Sequence, residues 1–489
     1  METLLNTLAD WKPFNAIVVG DFMLDQQLYG NANRLSPDAP VPVLHVTKQK
    51  NQPGGAANLC LDLHAMNGQV TAIGVVGQDQ DSNILTDALN DQGVDADSII
   101  NDPSRPTTVK RNLIGLAQGR HAQKMFRVDF ESSEPIDQSI VDQLLAQFDA
   151  HIADADFVCI EDYNKGVCTP ELCQAIIKRA KAAGKPVYVD PSPIKCYSKY
   201  AGATAITPNR TEGELASTLD KKDDDRAIAH DLRTQNNFET VVLTLDKHGA
   251  LLERGDLDEA VSIPTQARAV YDVTGAGDMM LAGLAAARAN GLGWVDSVKL
   301  ANAAAGLEVE IFGVAPIPIE RIHHELLMLS AGSRGKLRTL DEAIVMTKAA
   351  KNGGQSVVFT NGCFDIIHAG HISLLQRAAE LGDVLIVAMN DDHSVRGLKG
   401  PSRPVNDQEN RARVLGALEC VDAVVLFNDE TPIKLIEGIS PDILVKGGDY
   451  SVETVVGAEF VIACGGRIEL LDLVKGLSST STIEKMKKS

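Results

Sequence analysis

Aromatic side chains make up only 4% of the 489 residues, which leaves few rings on which bases or sugars could stack. There are eight cysteines but no C-x-x-C, and Cys159, Cys168 and Cys173 have neither zinc-finger spacing nor the framework of a small secreted domain. They read as reduced, mostly buried thiols. No run approaches the roughly 18 apolar residues needed to span a bilayer, and no charged head and apolar signal core opens the chain. The expectation is a cytoplasmic protein with no membrane partner. Positive charge is also in deficit, with 46 Lys and Arg against 66 Asp and Glu and a formal net charge of -20. That balance opposes a polyanionic partner, because affinity for a phosphate backbone comes largely from Lys and Arg releasing counterions. Nucleic acid is therefore set aside. Small phosphates are not, since net charge governs solubility and encounter more than the chemistry of a site.

What remains is a globular composition, 44% hydrophobic and 23% charged, in a chain too long for one ordinary core. Short β-branched runs at 16–20, 70–77, 157–160, 186–190 and 241–245 alternate with amphipathic stretches, the pattern of buried parallel strands covered by helices. The alternation pauses after Gly313, where Pro316 and Pro318 precede a helical stretch with His323 and His324, followed by the small, basic string 330–336. This reads as a linker. A helix over 340–350 ends at Asn352-Gly353-Gly354, and a second α/β series follows with strands at 357–360, 384–389, 423–427 and 443–445. The expected organisation is a first domain over 1–330, a linker and helix over 331–351, and a second domain over 352–489, with no internal repeat.

Neither G-x-x-x-x-G-K-[ST] nor G-x-G-x-x-G occurs, so the usual phosphate loops are absent. The first domain instead carries Asp272-Val273-Thr274-Gly275-Ala276-Gly277-Asp278 ahead of a small, apolar stretch that reads as a buried helix. Glycines at a helix start let backbone N–H groups and the positive dipole end approach an anion, and a carboxylate beside such a hole can take a proton from an attacking hydroxyl. An isolated Gly-Ala-Gly turn serves equally to cap or pack a helix. Three further strings accompany it: Gly20-Asp21 at a strand end, Pro53-Gly54-Gly55-Ala56-Ala57-Asn58 opening a helix, and Asn209-Arg210-Thr211-Glu212 after another strand.

Together these resemble the ribokinase-like (PfkB) sugar kinase family over roughly residues 10 to 315. The resemblance implies a three-layer α/β domain with a small β lid. It implies Asp278 as catalytic base, Gly275, Ala276 and Gly277 as anion hole, and Asp21, Gly54, Gly55 and Asn58 as sugar ligands. Asn209, Arg210, Thr211 and Glu212 would face ATP, with Asn209 and Glu212 organising Mg²⁺ through water. K⁺ is a further candidate cofactor. The strings around Asp25, Leu35 to Val43 and Glu161 to Gly166 resemble heptose 7-phosphate kinases in particular, adding Asp162 and Lys165 to the sugar site, and Lys110, Arg111 and Arg127 as candidate partners of the sugar's phosphate. Relatives continue Val-Asp-Pro with Lys where this chain has Ser192, although Lys195 lies nearby.

The second domain opens with Thr360-Asn361-Gly362-Cys363-Phe364-Asp365-Ile366-Ile367-His368-Ala369-Gly370-His371. A strand, a loop and a helix start would put His368 and His371 on one side of a first turn, beside free N–H groups that suit a triphosphate. Two surface histidines or a metal pair would show the same spacing, but no convincing third and fourth zinc ligands accompany them. The string resembles the HxGH nucleotidyltransferase superfamily, in its cytidylyltransferase-like branch with a Rossmann-like fold, over roughly 352 to 489. By that resemblance His368 and His371 are catalytic, and Asn361, Gly362, Phe364, Lys399, Ser479 and Thr480 bind the nucleotide, with Arg403 and Lys446-Gly447-Gly448 as supporting features. CTP-using relatives carry an Arg where this chain has Leu473, and the strings resemble an adenylyltransferase instead.

The order of the halves resembles the bifunctional heptose kinase/adenylyltransferases of ADP-heptose and lipopolysaccharide-core synthesis. The implied substrates are heptose phosphates and ATP, with a separate phosphatase acting between the two steps and a homo-oligomer formed through the kinase domains. A different sugar kinase joined to a CTP-dependent transferase, and a nucleotide-binding pseudoenzyme scaffold, are the alternatives.

Overall fold

The strand Phe14–Gly20 is almost continuously apolar, and five of its last six positions are buried, because it lies in the middle of a sheet covered on both faces. The computed structural model describes residues 2–117, 121–265, 274–311, 315–331, 335–352, 354–448 and 451–471. Its contacts divide the chain into two compact units, Lys12–Ile322 and a second made of Met1–Trp11 with His323–Ser489.

Among the described residues, the larger unit's main sheet runs in the order Val261–Ile263, Ala250–Arg254, Thr240–Thr244, Ala205–Ile206, Val187–Asp190, Phe157–Glu161, Phe14–Gly20, Gly68–Gly77 and Ile99–Asp102. It is parallel except for the two antiparallel pairings of Ala250–Arg254 at one edge. The helix Ala276–Ala289 is buried from Asp278 through Ala287. Its small residues permit close helix contact, for a Cβ on Gly283 would stand 2.9 Å from the Ala301 Cα of the helix Trp294–Glu308.

A second sheet pairs Pro42–Gly55, Phe22–Leu35, Thr108–Ala117 and His121–Phe130, the small β layer expected beside a ribokinase-like core. Its first strand leaves Gly20 with only Asp21 between, and Pro42–Gly55 returns straight into the helix Ala56–Ala65. This routing places Asp21, Asp25, Gly54, Gly55 and Asn58 together at the carboxyl end of the central strand. Several large apolar side chains of this layer, including Phe126 at 71% and Leu35 at 64%, are exposed.

The smaller unit is a parallel sheet in the order Leu337–Arg338, Ala423–Phe427, Val384–Asn390, Val357–Gly362, Ile443–Gly447 and Arg467–Leu471. The chain reverses its direction of travel through the sheet on either side of Val357–Gly362, so a ligand crevice is expected at the carboxyl end of that strand. The division falls between Ile322 and His323, earlier than residue 330, and the first eleven residues join this unit: the helix Glu2–Ala9 packs on the helix Leu340–Asn352. The last residue of the basic string and the short strand after it are tied into this unit. Lys336 Nζ donates to the carbonyls of Leu418 and Val421 at 2.9 and 2.6 Å, and Arg338, 2% exposed, donates to that of Gly335 at 2.7 Å.

Gly55 precedes the helix Ala56–Ala65 with φ of 55°, and a Cβ there would lie 2.7 Å from the Asp21 carbonyl oxygen. Left-handed backbone costs an L-residue about 1–2 kcal/mol before any clash. Gly55→Ala is therefore expected to destabilise the larger unit by at least about 2 kcal/mol. The two tryptophans, Trp11 and Trp294, fall one in each unit, so urea unfolding followed by Trp294 fluorescence in a Trp11→Phe background measures this directly.

Candidate functional site

In the larger unit the site is built around a carboxylate at a helix start. Gly275 caps the helix Ala276–Ala289 with φ of 91°, and a side chain there would run into Glu308, whose Oε1 is 2.4 Å from the Cβ position. The turn thus leaves the amides of Gly275, Ala276 and Gly277 at the positive end of a helix whose first turn carries Asp278. Asp272 and Val273 lie outside the described residues. Asp278 is 3% exposed, its Oδ2 accepts from Asn58 Nδ2 at 2.7 Å, and its Oδ1 accepts from the Tyr163 hydroxyl at 2.7 Å. Burial outweighs both bonds and pushes its pKa up to about 6, while Lys110 opposes that rise. A carboxylate so placed is ionised at neutral pH yet a stronger base than an exposed one, which is the property a proton acceptor needs.

The structure distributes the other sequence candidates between the pocket and its frame. Asp21 is 1% exposed, and its carboxylate accepts the backbone amides of Tyr163, Lys165 and Val167 at 2.8, 3.0 and 3.3 Å. It ties down the loop that delivers Tyr163 to Asp278. Burial and the neighbouring Asp162 raise its pKa to about 6. Asp162 is likewise engaged by protein, accepting from Asn164 N at 2.7 Å and the Tyr200 hydroxyl at 2.6 Å and pairing with Lys199 Nζ at 2.5 Å. The Lys165 ammonium pairs with Glu131 at 2.7 Å, Arg127 with Asp129 at 2.8 Å, and Arg111 donates to Gln26 at 2.7 Å. Lys110 stands over the Tyr163 ring at 4.8 Å, on the side of Asp278.

Asn209 and Glu212 form a reciprocal capping box at the helix Arg210–Ala216, with Asn209 Oδ1 accepting Glu212 N at 3.0 Å and Glu212 Oε2 accepting Asn209 N at 2.9 Å. Arg210 turns to Asp225 at 2.7 Å, and Thr211 is exposed. Burial and the neighbouring Glu212 push the Asp190 carboxyl well up. Asp190 Oδ2 lies 3.1 Å from the Cβ position of Gly277. A hard cation fits this oxygen-only surrounding.

Besides Asp190, three residues were given no role by the sequence reading. Asp25 backs onto Gly54, whose Cβ position is 2.8 Å from Asp25 Oδ2, and it pairs in register with Lys110. Burial raises its pKa against the pull of Lys110 and Arg127. Its place four residues beyond Asp21 in a quoted motif was the available signal. Tyr163 and Glu161 lay in another quoted string, with nothing in the one-dimensional pattern to connect them to Asp278.

In the smaller unit, Val357–Gly362 ends in a loop that His368 closes as N-cap of the helix Ala369–Ala379. The His368 and His371 rings stack at 3.9 Å, Phe364 packs on His371 at 5.3 Å, and both Nδ1 atoms are buried without a hydrogen-bond partner among the described residues. Burial, His368 and Lys399 depress His371 to about 4, so the pair is neutral at neutral pH and gains protons most readily when an anion arrives. Asn361 Oδ1 accepts from Lys446 Nζ at 2.8 Å, a half-buried ammonium held below its ordinary pKa by desolvation. Lys399 is exposed at the end of the helix Asp392–Lys399. Gly362 abuts the Phe364 ring, 3.0 Å from its Cβ position. Ser479, Thr480 and Leu473 lie outside the described residues.

Two side chains to which the sequence reading gave no role hold this loop. Asp365 accepts from Val405 N at 2.6 Å and pairs with Arg403. Arg411, 1% exposed, donates to the carbonyls of Cys363, Asn390 and Asn406 at 2.6, 2.8 and 3.1 Å and pairs with Asp392 at 2.6 Å. The histidine loop and the segment bearing Arg403 are therefore one hydrogen-bonded assembly.

Residues 14–320 match the pfkB family carbohydrate kinases, and residues 359–471 match the cytidylyltransferase-like family. The chain is 42% identical over 478 residues to the bifunctional protein HldE of Geobacter sulfurreducens, covering 97% of this chain and 96% of that one. It is 41% identical over 490 residues to the bifunctional protein HldE of Mesorhizobium japonicum, covering 99% and 97%. In fold it is similar to phosphofructokinase-2 from Escherichia coli in complex with potassium, with TM-score 0.53, 19% identity and coverage of 65% of this chain and 99% of that one. Arabidopsis thaliana ribokinase complexed with ribose and ATP gives TM-score 0.50 at 19% identity, over 64% and 99%.

Asp278 is expected to act as a base only in its ionised form, so the rate of a reaction that uses it should fall as pH drops below about 6. The Tyr163 hydroxyl stabilises that form; Tyr163→Phe should move the acidic limb of the kcat/KM profile to higher pH. A limb that stays in place would separate Tyr163 from the titrating group.

Proposed function

Because the chain belongs to the bifunctional HldE family, a pfkB-type carbohydrate kinase ahead of a cytidylyltransferase-like domain, we propose that its two units catalyse two ATP-dependent steps of ADP-heptose synthesis for the lipopolysaccharide core. The larger unit phosphorylates D-glycero-β-D-manno-heptose 7-phosphate at O1 to give the 1,7-bisphosphate. The smaller joins AMP from ATP to heptose 1-phosphate, releasing pyrophosphate. The observation that carries this reading is the presence, in one chain and in that order, of a buried carboxylate beside a helix-start anion hole and a stacked histidine pair at a second helix start.

In the first step Asp278 takes the proton from the attacking O1 as that oxygen bonds the γ-phosphorus and ADP departs. Asn58 and Tyr163 hold the carboxylate so that its remaining lone pairs face the hydroxyl. The amides of Gly275, Ala276 and Gly277 meet the charge that grows on the transferring group. Asp25 and the Gly54-Gly55 turn line the sugar side, and Lys110 supplies a cation near the base. Asp190 and Glu212, the latter through water, would hold Mg²⁺, which when bound screens the phosphates' charge. K⁺ is the candidate monovalent activator of this half.

In the second step a phosphate oxygen of the sugar 1-phosphate attacks the α-phosphorus of ATP. The His368 and His371 rings, neutral beforehand, donate to oxygens whose charge increases, with Lys399 and Lys446 adding positive potential. No covalent intermediate forms. The 7-phosphate leaves between the steps through a separate phosphatase, so the bisphosphate must quit the chain before its product returns.

The exposed apolar side chains of the smaller sheet, Leu35 and Phe126 among them, support a homodimer formed through the kinase units. No helix among the described residues is long and apolar enough to cross a membrane, and the intermediates are phosphorylated metabolites. Both fit a cytoplasmic site of action.

Mass spectrometry of the products from heptose 7-phosphate, ATP and Mg²⁺, with and without a phosphatase acting at O7, tests the sequence of steps, and CTP offered in place of ATP tests the nucleotide. Asp278→Asn should lower ADP formation by about 10²- to 10⁴-fold and leave pyrophosphate release intact; simultaneous loss of both activities would overturn the two-site reading. His371→Ala should lower pyrophosphate release by about 10²- to 10³-fold, and unaltered turnover would remove that residue from the mechanism.

A further inference from the structure

The loop 162–167 delivers Tyr163 to Asp278, and it is gripped from two sides. On its inner side Asp21 accepts the amides of Tyr163, Lys165 and Val167. On its outer side stands Arg105, from the segment that joins the strand Ile99–Asp102 of the main sheet to Thr108–Ala117 of the small β layer. Arg105 Nη1 donates to the Lys165 carbonyl at 3.0 Å, its Nη2 donates to the Glu134 carbonyl at 2.6 Å, and its Nε faces Asp102 at 3.3 Å. Both side chains of that ion pair are nearly buried, at 8% and 7% exposed. Lys165 is thus held by its N–H from within and by its C=O from without.

The base from which Arg105 reaches is itself fixed. Two residues on, Thr107 donates to Asp79 through its amide at 2.8 Å and its hydroxyl at 2.7 Å, and its hydroxyl accepts from Gly77 N at 2.9 Å. The strand Thr108–Ala117 starts at the next residue and carries Lys110, whose ammonium stands over the Tyr163 ring at 4.8 Å. Across the loop, Gly166 has φ of 85°, and a Cβ there would collide with the Glu134 carbonyl oxygen. Ile136 N donates to the Gly166 carbonyl at 3.1 Å, so the loop and the segment 134–136 are joined edge to edge. A planar guanidinium spans two carbonyls of such a join in one fixed geometry, which an ammonium does not.

We infer that Arg105 is a positioning residue for phosphoryl transfer: by fixing the Lys165 and Glu134 carbonyls it holds the Tyr163 hydroxyl on the Asp278 carboxylate. It acts on Asp278 through Tyr163, two residues before Lys165 in the loop. Because Arg105 stands at the root of the small β layer, the same grip ties the placement of Tyr163 to that of the strand bearing Lys110. The inference rests on reading Asp278 as the base of the kinase reaction, but the grip on the loop is a property of the protein without substrate.

Hydrogen–deuterium exchange of the full-length protein, read by mass spectrometry over 162–167, tests it together with steady-state kinetics. Arg105→Met is expected to speed exchange of the Tyr163, Lys165 and Val167 amides at least about fivefold, the worth of one net hydrogen bond, while the helix Ala276–Ala289 stays protected. It is expected to lower kcat for ADP formation by about 10- to 100-fold with the KM for ATP little changed. Combined with Tyr163→Phe it should be no slower than the slower single variant, because both remove one constraint. Arg105→Lys keeps the charge but cannot span two carbonyls, so it should act in the same direction at smaller size; it carries the test should Arg105→Met lose its circular dichroism. Exchange over 162–167 equal to that of the unaltered protein, or losses that multiply in the double variant, would overturn the inference. Were heptose 7-phosphate not the substrate, the unaltered protein would form no ADP from it, and the exchange over 162–167 would still decide whether Arg105 holds the loop.

Discussion

The larger unit depends on keeping a carboxylate ionised at the buried start of a helix. Burial pushes Asp278 up to about 6, and hydrogen bonds from Asn58 and Tyr163 with the field of Lys110 hold it from going further. Much around it serves that balance. Asp21 spends its own carboxylate on the backbone of the loop bearing Tyr163, and the direct passage from Pro42–Gly55 into the helix Ala56–Ala65 sets Asn58 opposite. An acid at this depth would be neutral without such partners, and a neutral acid accepts no proton.

The smaller unit meets the converse requirement with cationic chemistry. Its histidines are held neutral by burial and mutual proximity, which stores a capacity to become positive that only an incoming anion draws out. Arg411 supplies the rigidity. One guanidinium bonded to three backbone carbonyls and Asp392 fixes the histidine loop against the end of Val384–Asn390. Because Arg keeps its charge and its planar fork when buried, it satisfies several carbonyls at once where Lys could not.

The sequence disclosed the parts of this arrangement that are local. Two α/β units, the glycine turn before Asp278 and the histidine pair were legible because each depends on neighbours within a few residues. What escaped depends on pairings across the fold. Glu161 and Asp190 end adjacent strands whose adjacency no periodicity records, and Tyr163 reaches Asp278 from 115 positions away. Partnership hid other roles. Asn209 and Glu212, metal and nucleotide ligands by the family resemblance, also engage each other as a helix cap. The basic string before the second unit read as a linker, and its last residue, Lys336, also donates to the carbonyls of Leu418 and Val421.

Ser192 illustrates how a local departure is absorbed. By the family resemblance a lysine is expected at this position; here the serine amide and hydroxyl both lie 3.2 Å from the Tyr200 hydroxyl, which donates to Asp162 at 2.6 Å. Lys199 then approaches the same carboxylate from the following turn, at 2.5 Å and with only 12% of its side chain exposed. A cation is still delivered, but to the loop frame instead of the open pocket. The pocket is left with more acid than base, Glu161 and Asp190 beside Asp278, and its ligands are themselves anions. In a chain of net charge -20, attraction for such ligands must therefore be generated at atomic range, by helix-start amides and by cations recruited to the carboxylates, because the long-range field of the protein works against their approach.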